Sequence, residues 1–237
     1  MSVRTNLDNF KPRPSWVRYL VTYLTLFLVP LFARVTVTGR RHFPARGPFI
    51  IAINHFSDLD PAFVIYTFRR PMIFMAASDH KIEWFNYWAV WLYGFIPTNR
   101  KTLAPSTIRH AHSWLKSRAI LGIFPEGTAL SQVLRPAKNG AVYLSSICAV
   151  PIIPMGITGL NKPWKTIFSG VRPKVTVNIG KPFGPFKNSV KRKEREIVLT
   201  RNGYEVMCRI AALLPEVQHG SVARDPLVER FRNENIQ

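Results

Sequence analysis

Cysteine and acidic residues are both scarce in this chain, and each shortage narrows what the protein can be. Only two cysteines, Cys148 and Cys208, occur among 237 residues, which excludes a disulfide framework. Since the sequence also shows no secretory signal pattern, this cysteine usage predicts a reducing compartment. A hydrophobic fraction of 47% excludes a disordered chain. A chain of this length is expected to form one α/β domain with a substantial core.

The shortage of acidic residues leaves a strongly basic chain. There are 33 Lys and Arg against 13 Asp and Glu, a formal net charge of +20. Such a surface can attract anionic lipid, nucleic acid, or acidic partners such as coenzyme A and acyl carrier protein. Nucleic acid is not expected, because no known binding motif occurs and the aromatic residues cluster apart from the basic runs. Only five acidic residues lie between Asp8 and Glu194, namely Asp58, Asp60, Asp79, Glu83 and Glu126.

Two of those five acids follow the apolar run at residues 48–53 (PFIIAI). A run without polar residues is typical of a strand buried on both faces. The chain leaves this strand at His55, and five residues later Asp60 and Pro61 are suited to begin a helix. This geometry lets the Asp60 carboxylate reach the His55 imidazole, an arrangement that can remove a proton from a hydroxyl. The alternative is that Asp60 only caps the helix and His55 only fills a loop.

A third of these acids, Glu126, also follows an apolar run, at residues 119–124 (AILGIF). Ligands bind to open α/β sheets in the crevice outside the carboxyl ends of the strands. The Glu126 loop and the His55 loop are therefore expected to share one cleft. The alternative is that Glu126 is a polar residue in an ordinary glycine-containing turn.

Four segments in order resemble the motifs of the glycerolipid acyltransferase family, which contains the 1-acylglycerol-3-phosphate acyltransferases. They are residues 54–60 (NHFSDLD), 94–100 (GFIPTNR), 124–128 (FPEGT) and 150–156 (VPIIPMG), and the likeness extends over about residues 35–182. The resemblance implies transfer of a fatty acyl group from acyl-CoA or acyl carrier protein. The implied acceptor is the free hydroxyl of 1-acylglycerol-3-phosphate, and the product is phosphatidic acid.

The chemistry of acyl transfer assigns roles to the first motif. His55 is expected to act as the general base, and Asp60 to orient it. No Gly-x-Ser-x-Gly elbow occurs, and neither cysteine lies in a motif, which favours direct attack by the acceptor over a covalent acyl-enzyme. No metal is expected, because His110 and His112 face different sides of a predicted helix. No cofactor is expected beyond the acyl donor as co-substrate.

Acceptor binding is assigned to the second and third motifs. Arg100 is the candidate for bidentate phosphate binding, since its planar fork matches phosphate oxygens; the alternative is a solvated surface arginine. Glu126 can accept a hydrogen bond from an acceptor hydroxyl. Gly127 allows close backbone approach, and Thr128 offers a hydroxyl.

One departure from the family pattern concerns the phosphate. The family often has an arginine directly after the third motif, where this chain has Ala129. Arg135 or Lys138 can substitute for the missing cation. Because of this departure, a different acceptor is an alternative, either another lysolipid or an amphiphilic alcohol. A further alternative is a basic membrane-binding protein without catalysis, which the intact His55 and Asp60 disfavour.

The N-terminal apolar segment predicts contact with a membrane. Its fifteen residues, 19–33, are interrupted by Pro30 and flanked by Arg18 and Arg34, and they fall short of the roughly 20 needed to span a bilayer. An interfacial helix is favoured, with a buried core helix as the alternative. Together with the basic charge, this predicts association with an anionic phospholipid membrane, on its cytoplasmic face.

Alternating strands and helices predict an α/β fold with a mixed, largely parallel sheet flanked by helices. The expected domains are a membrane-associating segment at 1–34, an acyltransferase domain at 35–217 and a polar, loosely held tail at 218–237. Strands are predicted at 35–38, 49–53, 72–76, 120–124, 151–157 and 174–179. Helices are predicted at 16–33, 61–68, 83–93 (aromatic), 105–117, 139–148 and 189–214 (basic).

Overall fold

The computed structural model describes residues 12–77, 92–98, 104–127, 131–186 and 194–236. Seven strands in the described part of the chain form one sheet. They are β1 (Arg34–Thr38), β2 (Phe49–Ile53), β3 (Ile73–Ala77), β4 (Ile96–Thr98), β5 (Ile120–Ile123), β6 (Ile152–Thr158) and β7 (Lys174–Ile179). The helices are α1 (Ser15–Phe32), α2 (Asp60–Phe68), α3 (Pro105–Lys116), α4 (Gly140–Cys148), α5 (Pro163–Phe168), α6 (Arg195–Ala211) and α7 (Pro226–Ile236).

The order of the strands is β1-β7-β6-β2-β5-β3-β4. The five strands from β6 to β4 are parallel to one another, while β7 pairs with β6 antiparallel and β1 pairs with β7 parallel. The predicted mixed, largely parallel sheet is therefore confirmed. Strands β2 and β5 are neighbours, so the two loops that follow them leave the sheet side by side.

Two hydrophobic clusters cover the two faces of the sheet. One contains residues of α3, α4, α6 and α7, and the other contains residues of α1 and α2. All five residues of β2 are buried, as expected for a central strand covered on both faces. Because β2 and β5 lie in a close-packed core, neither strand can shift without disturbing that core. The ends of both strands are therefore held in fixed positions.

Helix α1 packs with its polar side inward. Arg18, Thr22 and Val29 share one face of the helix and are buried. Arg18 donates to the carbonyl oxygen of Met72 at 3.4 Å, and its guanidinium lies 5.3 Å from the centre of the Trp114 ring. The opposite face exposes large apolar side chains, namely Trp16, Tyr19, Leu20, Tyr23, Leu24, Phe27 and Leu31. By length and composition alone, α1 is the one helix among the described residues that could cross a membrane.

The C-terminal residues correct one expectation. The segment 218–237 was expected to be a loosely held polar tail, but it contains a 3₁₀ turn at Gly220–Val222 and helix α7. Val222, Val228 and Phe231 are buried in the same cluster as α6. These apolar contacts, together with the hydrogen bond from the Lys181 backbone nitrogen to Asn235, fix the mostly polar segment to the core.

Several boundaries also differ from the prediction. Strand β4 and helix α5 were not predicted, since each is only three to six residues long and gives little periodicity. The predicted aromatic helix at 83–93 lies almost entirely outside the described residues. The basic helix predicted over 189–214 is observed as Arg195–Ala211, and residues 187–193 lie outside the described part.

Candidate active site

Asn54 fixes the end of the strand from which the first loop leaves the sheet. Its side chain is fully buried, and its amide nitrogen donates to the carbonyl oxygen of Ile157 at 2.9 Å. Its amide oxygen accepts from the backbone nitrogen of Ile157 at 2.7 Å. The side chain thus extends the pairing of β2 with β6 by one residue, and the next residue, His55, begins the loop from a rigid point.

His55 and Asp60 form the predicted pair. Nδ1 of His55 lies 3.0 Å from Oδ2 of Asp60, and the His55 side chain is 17% exposed whereas that of Asp60 is 1% exposed. The same oxygen, Oδ2, accepts hydrogen bonds from the backbone nitrogens of Phe56 and Ser57, both at 2.8 Å. An oxygen that accepts two backbone N–H groups also accepts the imidazole N–H, so Nδ1 carries the proton and Nε2 is left as the basic nitrogen.

Asp60 does not cap the helix that it begins. Leu59 occupies the N-cap position, and no side chain makes a capping hydrogen bond there. The alternative, that Asp60 only caps the helix, is therefore contradicted, because its carboxylate accepts hydrogen bonds from the preceding loop instead. Burial raises the pKa of the Asp60 carboxyl, while the hydrogen bonds from His55, Ser57 and Phe56 oppose that rise. A buried carboxylate with this alignment is costly to fold and suited to stabilising an imidazolium.

Glu126 joins the second loop to the first. Its side chain is buried, Oε1 accepts from the backbone nitrogen of His55 at 2.9 Å, and Oε2 accepts from the backbone nitrogen of Arg135 at 3.1 Å. Burial raises the pKa of the Glu126 carboxyl, and these two bonds oppose the rise. Since both oxygens already bind backbone groups, the geometry favours a role in holding the His55 loop in place. The predicted contact with an acceptor hydroxyl stays a prediction.

Phe124 supports the imidazole from one side, a role that sequence reasoning missed. Its ring stacks on the ring of His55 with centroids 4.2 Å apart and planes inclined by 26°. Phe74 in β3 stacks in turn on Phe124 at 6.0 Å. The ring of His55 is therefore held by a hydrogen bond at Nδ1 and by an aromatic face. The available signal was the aromatic residue at the end of β5, directly before the Pro-Glu-Gly turn.

Residues after the third motif contact both the His55 loop and the Glu126 loop. Gln132 donates from Nε2 to the carbonyl oxygen of Phe56 at 2.8 Å, a contact that the sequence gave no reason to expect. Nε of Arg135 lies 3.9 Å from Oε2 of Glu126. The backbone nitrogen of Lys138 donates to Pro125 at 2.8 Å. Both predicted replacement cations thus lie beside the Glu126 loop.

Gly127 has a positive φ of 77°, and a Cβ added there would lie 3.1 Å from the Lys138 side chain. This is a position where only glycine is unstrained while the backbone remains accessible. Arg100 and Thr128, the two other predicted acceptor-binding residues, lie outside the described residues.

A large cavity lies elsewhere in the fold. Its volume is about 750 Å³, and its lining includes Gly39, Asn178, Leu213 and Asn235. None of the predicted site residues lines it, so it is separate from the pair of His55 and Asp60. In the described part of the chain, no three His, Cys, Asp or Glu side chains form a group that could hold a metal ion.

Comparison with known proteins decides the family. The model of the Acyltransferase family matches residues 34–158, which is more than half of the chain. The chain belongs to the acyltransferase family. The matched region contains both His55 and Asp60, and it contains the Glu126 loop that joins them to the rest of the site.

Curated relatives are similar over part of this family member. A probable 1-acyl-sn-glycerol-3-phosphate acyltransferase of Mycoplasma pneumoniae is 26% identical over 162 residues, covering 64% of this chain and 59% of the relative. The 1-acyl-sn-glycerol-3-phosphate acyltransferase of Bacillus subtilis is 27% identical over 157 residues, covering 65% and 76%. The chain spans between 44% and 76% of the lengths of the curated relatives that it matches.

A solved structure shares the fold of this acyltransferase. The crystal structure of the 1-acyl-sn-glycerophosphate acyltransferase PlsC of Thermotoga maritima matches with a TM-score of 0.56. The two chains are 24% identical, and the match covers 81% of this chain and 80% of the other. At this identity the likeness supports the fold, and the function is argued from the site.

Proposed function

We propose that the protein is a membrane-associated O-acyltransferase that acylates the free hydroxyl of 1-acylglycerol-3-phosphate and forms phosphatidic acid. The observation that supports the proposal is the hydrogen-bonded pair of His55 and Asp60 at the carboxyl edge of the sheet. Family membership and the names of the curated relatives agree with this acceptor. The acyl donor is a thioester, either acyl-CoA or acyl carrier protein.

The reaction follows from the position of the imidazole. Nε2 of His55 removes the proton from the acceptor hydroxyl as its oxygen attacks the thioester carbonyl carbon. The new ester C–O bond forms, the C–S bond breaks, and the proton is passed from His55 to the departing thiolate. Asp60 holds the Nδ1 proton throughout and stabilises the imidazolium that forms between the two proton transfers. Phe124 stacks on the imidazole and, with the hydrogen bond at Nδ1, restricts the orientation of the ring.

Recognition of the acceptor phosphate is assigned to basic residues of the second motif and of the segment after the third motif. Arg100 is the principal candidate, with Arg135 or Lys138 in place of the cation missing at Ala129. Thr128 and the backbone at Gly127 are proposed to contact the acceptor. The departure at Ala129 supports a second candidate function, acylation of another lysolipid or of an amphiphilic alcohol that carries no phosphate.

Association with the membrane is supported by α1. The helix turns Arg18 and Thr22 toward the sheet and large apolar residues outward, the reverse of a helix that faces water. Because α1 packs against α2 and is tied to the sheet through Arg18, it is expected to lie in the bilayer interface rather than span the bilayer. Anionic lipid headgroups are the proposed partner of the basic surface, on the cytoplasmic face of the membrane.

The test is an acyl-transfer assay on purified protein with labelled acyl-CoA or acyl carrier protein and a panel of acceptors. The panel contains 1-acylglycerol-3-phosphate, other lysophospholipids, glycerol-3-phosphate and long-chain alcohols. We expect phosphatidic acid as the main product. His55→Ala should reduce turnover by roughly 10³-fold or more in a protein that still folds, since general-base catalysis typically contributes about 10²–10⁴-fold. Turnover near the native rate in folded His55→Ala protein would contradict the mechanism.

The acceptor is tested through Arg100. Arg100→Ala should raise the KM for 1-acylglycerol-3-phosphate by roughly 10- to 150-fold, because a charge-assisted bidentate contact is worth about 1.5–3 kcal/mol. The KM for the acyl donor should change much less. Arg100→Lys should restore only part of the loss, since an ammonium lacks the planar fork. Efficient acylation of a phosphate-free alcohol, unaffected by Arg100→Ala, would favour the second candidate function.

A further inference from the structure

Helix α5 and the loop after it, residues 162–172, expose apolar side chains at a second place on the surface. We refer to this segment as the α5 edge. Phe168 is 82% exposed and Val171 is 57% exposed. The ring of Phe168 stacks on Trp164 with centroids 6.0 Å apart, which fixes the orientation of the side chain. A largely exposed phenylalanine with a fixed orientation at the end of a short helix is not explained by the packing of the core.

The topology brings the α5 edge out at the catalytic end of the sheet. Strand β6 is parallel to β2 and ends at Thr158, just beyond the point where Asn54 binds Ile157. His55 leaves β2 at that same end. The α5 edge follows β6 directly, so it emerges from the same side of the sheet as the catalytic pair.

The α5 edge is tied to the C-terminal end of α1. Arg172 donates to the carbonyl oxygen of Pro30 and, at 3.3 Å, to that of Ala33. The backbone nitrogen of Arg34 donates to Pro173 at 2.9 Å. The exposed apolar face of α1 and the exposed residues of the α5 edge are therefore held together as parts of one body.

The α5 edge carries charges of a single sign. Lys162, Lys165 and Arg172 are exposed, and no acidic residue occurs anywhere in the sequence between Glu126 and Glu194. Basic residues around exposed apolar side chains are the pattern of a surface that meets an anionic bilayer. A soluble acidic partner could also bind the lysines, but it would not explain why Phe168 and Val171 are exposed.

From these contacts we propose that the α5 edge is a second lipid-contacting element, which inserts Phe168 and Val171 into an anionic bilayer beside the C-terminal end of α1. Two attachments at different points fix the orientation of the domain, and they bring the catalytic end of the sheet close to the membrane from which a lipid acceptor arrives. The inference rests on the membrane association proposed for α1, and it does not depend on which acceptor is acylated.

The apolar contribution is tested by binding of the full-length protein to sedimentable vesicles, made of phosphatidylcholine with or without phosphatidylglycerol. The variant carries Phe168→Ser and Val171→Ser, and the control carries Val217→Ser and Ile236→Ser, two residues that are 83% and 75% exposed on the C-terminal part of the fold. We expect roughly tenfold weaker binding to anionic vesicles for the variant. The control should bind as the native protein does, and both should keep the native Tm.

The charge contribution is tested with a matched pair of variants. Lys162→Asn with Lys165→Gln removes two charges at the α5 edge, and Lys116→Gln with Arg118→Asn removes two at the opposite end of the sheet. Lys162 and Arg118 both have positive φ, for which asparagine is well suited. At about fivefold per basic residue near the surface, the first pair should weaken binding by roughly 30-fold at low salt and much less at high salt. The second pair should have little effect.

Insertion is read out directly by a probe at Phe168. Phe168→Cys in a Cys148→Ser and Cys208→Ala background is labelled with an environment-sensitive dye, with Val217→Cys as the control. Anionic vesicles should shift the emission of the first dye to shorter wavelength, and bilayer-embedded quenchers should quench it, whereas the second dye should respond to neither. A dye at residue 168 that remains fully hydrated on bound protein would overturn the proposal.

Two further outcomes distinguish this proposal from the one on function. Transfer to a short-chain, water-soluble lysophospholipid should be the same for the α5-edge variants and the native protein. If those variants bind vesicles normally but raise the KM for acyl carrier protein, the segment is a protein-docking surface and the lipid proposal is wrong. If the native protein shows no acyl transfer at all, the proposed function fails, while the vesicle and dye measurements still decide the role of the α5 edge.

Discussion

At the carboxyl edge of the sheet the protein buries charge, whereas along α1 it exposes apolar surface. Asp60 and Glu126 are 1% and 4% exposed, while Trp16, Tyr23 and Phe27 in α1 are each at least 65% exposed. Charged side chains are usually exposed and large apolar side chains are usually buried. The two regions depart from this distribution in opposite directions. Buried carboxylates lower the stability of the fold, and exposed apolar side chains lower solubility. Each cost is explained if the region contacts a molecule that is not part of the folded chain.

The two regions also differ in how they are held. The carboxylates at the carboxyl edge of the sheet are fixed by several hydrogen bonds from backbone nitrogens of neighbouring loops. Helix α1 is fixed through its inward face and, at its C-terminal end, by Arg172, whereas the large apolar side chains of its outward face are exposed. Substitutions at the catalytic edge should therefore change chemistry and stability together, while substitutions on the outer face of α1 should change membrane binding alone.

The largest effect that sharpens this comparison is expected from Asp60→Asn. All three of the donors that contact Asp60 meet Oδ2, so the asparagine amide oxygen can take its place without breaking the loop. Loss of the negative charge should reduce turnover by roughly 10²–10⁴-fold, because the imidazolium is no longer stabilised. Steady-state kinetics on the folded variant measure this loss.

The same variant should gain stability as the pH rises. Burial raises the pKa of the Asp60 carboxyl above its ordinary 3.8, so the folded protein holds the proton more tightly than the unfolded chain. The stability that this contributes is present at low pH and is lost as the pH rises through the folded pKa. Asparagine carries no such charge, so its Tm relative to the native protein should increase from about pH 4 toward neutrality. An advantage that disappears toward neutral pH would show that Asp60 stabilises the fold in its charged form.

An intermediate effect is expected on the outer face of α1. Tyr23→Ser with Phe27→Ser should weaken binding to anionic vesicles by roughly 150-fold or more, since burying each aromatic side chain is worth about 1.5–3 kcal/mol. The Tm should hardly change, because both side chains are exposed. Val29→Ala on the inner face serves as the control, with a lower Tm and unchanged vesicle binding. If the outer-face variant unfolds more readily instead, α1 contacts protein there and not lipid.

The smallest effect is expected from Glu126→Gln. The glutamine oxygen can accept from either the His55 or the Arg135 backbone nitrogen, but its amide group then faces the other N–H without accepting from it. We expect a roughly tenfold lower kcat from the loosened His55 loop. The KM for the acceptor should be nearly unchanged if Glu126 only positions the loop. A large rise in that KM would restore the predicted contact between Glu126 and the acceptor hydroxyl.

Much of the fold could be predicted because its signals are local. The apolar runs before His55 and Glu126, and the Asp60-Pro61 step, indicate strand ends and a helix start without reference to the rest of the chain. The sequence could not decide between the two roles of Asp60, because an aspartate at this position is suited both to capping the helix and to binding His55. The prediction was also wrong at the C-terminus, where Val222, Val228 and Phe231 pack a mostly polar segment against the core.

The sequence by itself determined the alternation of strands and helices, the pair of His55 and Asp60 five residues apart, and the apolar character of α1. These properties depend on the periodicity and turn chemistry of short segments. Only the tertiary structure decided how Asn54 binds Ile157, 103 residues away, and how Glu126 binds the backbone of His55, 71 residues away. It also decided that α1 turns its polar side inward and that Arg172 joins the α5 edge to Pro30. Such contacts depend on which strands become neighbours, and that choice is made by the packing of the whole core.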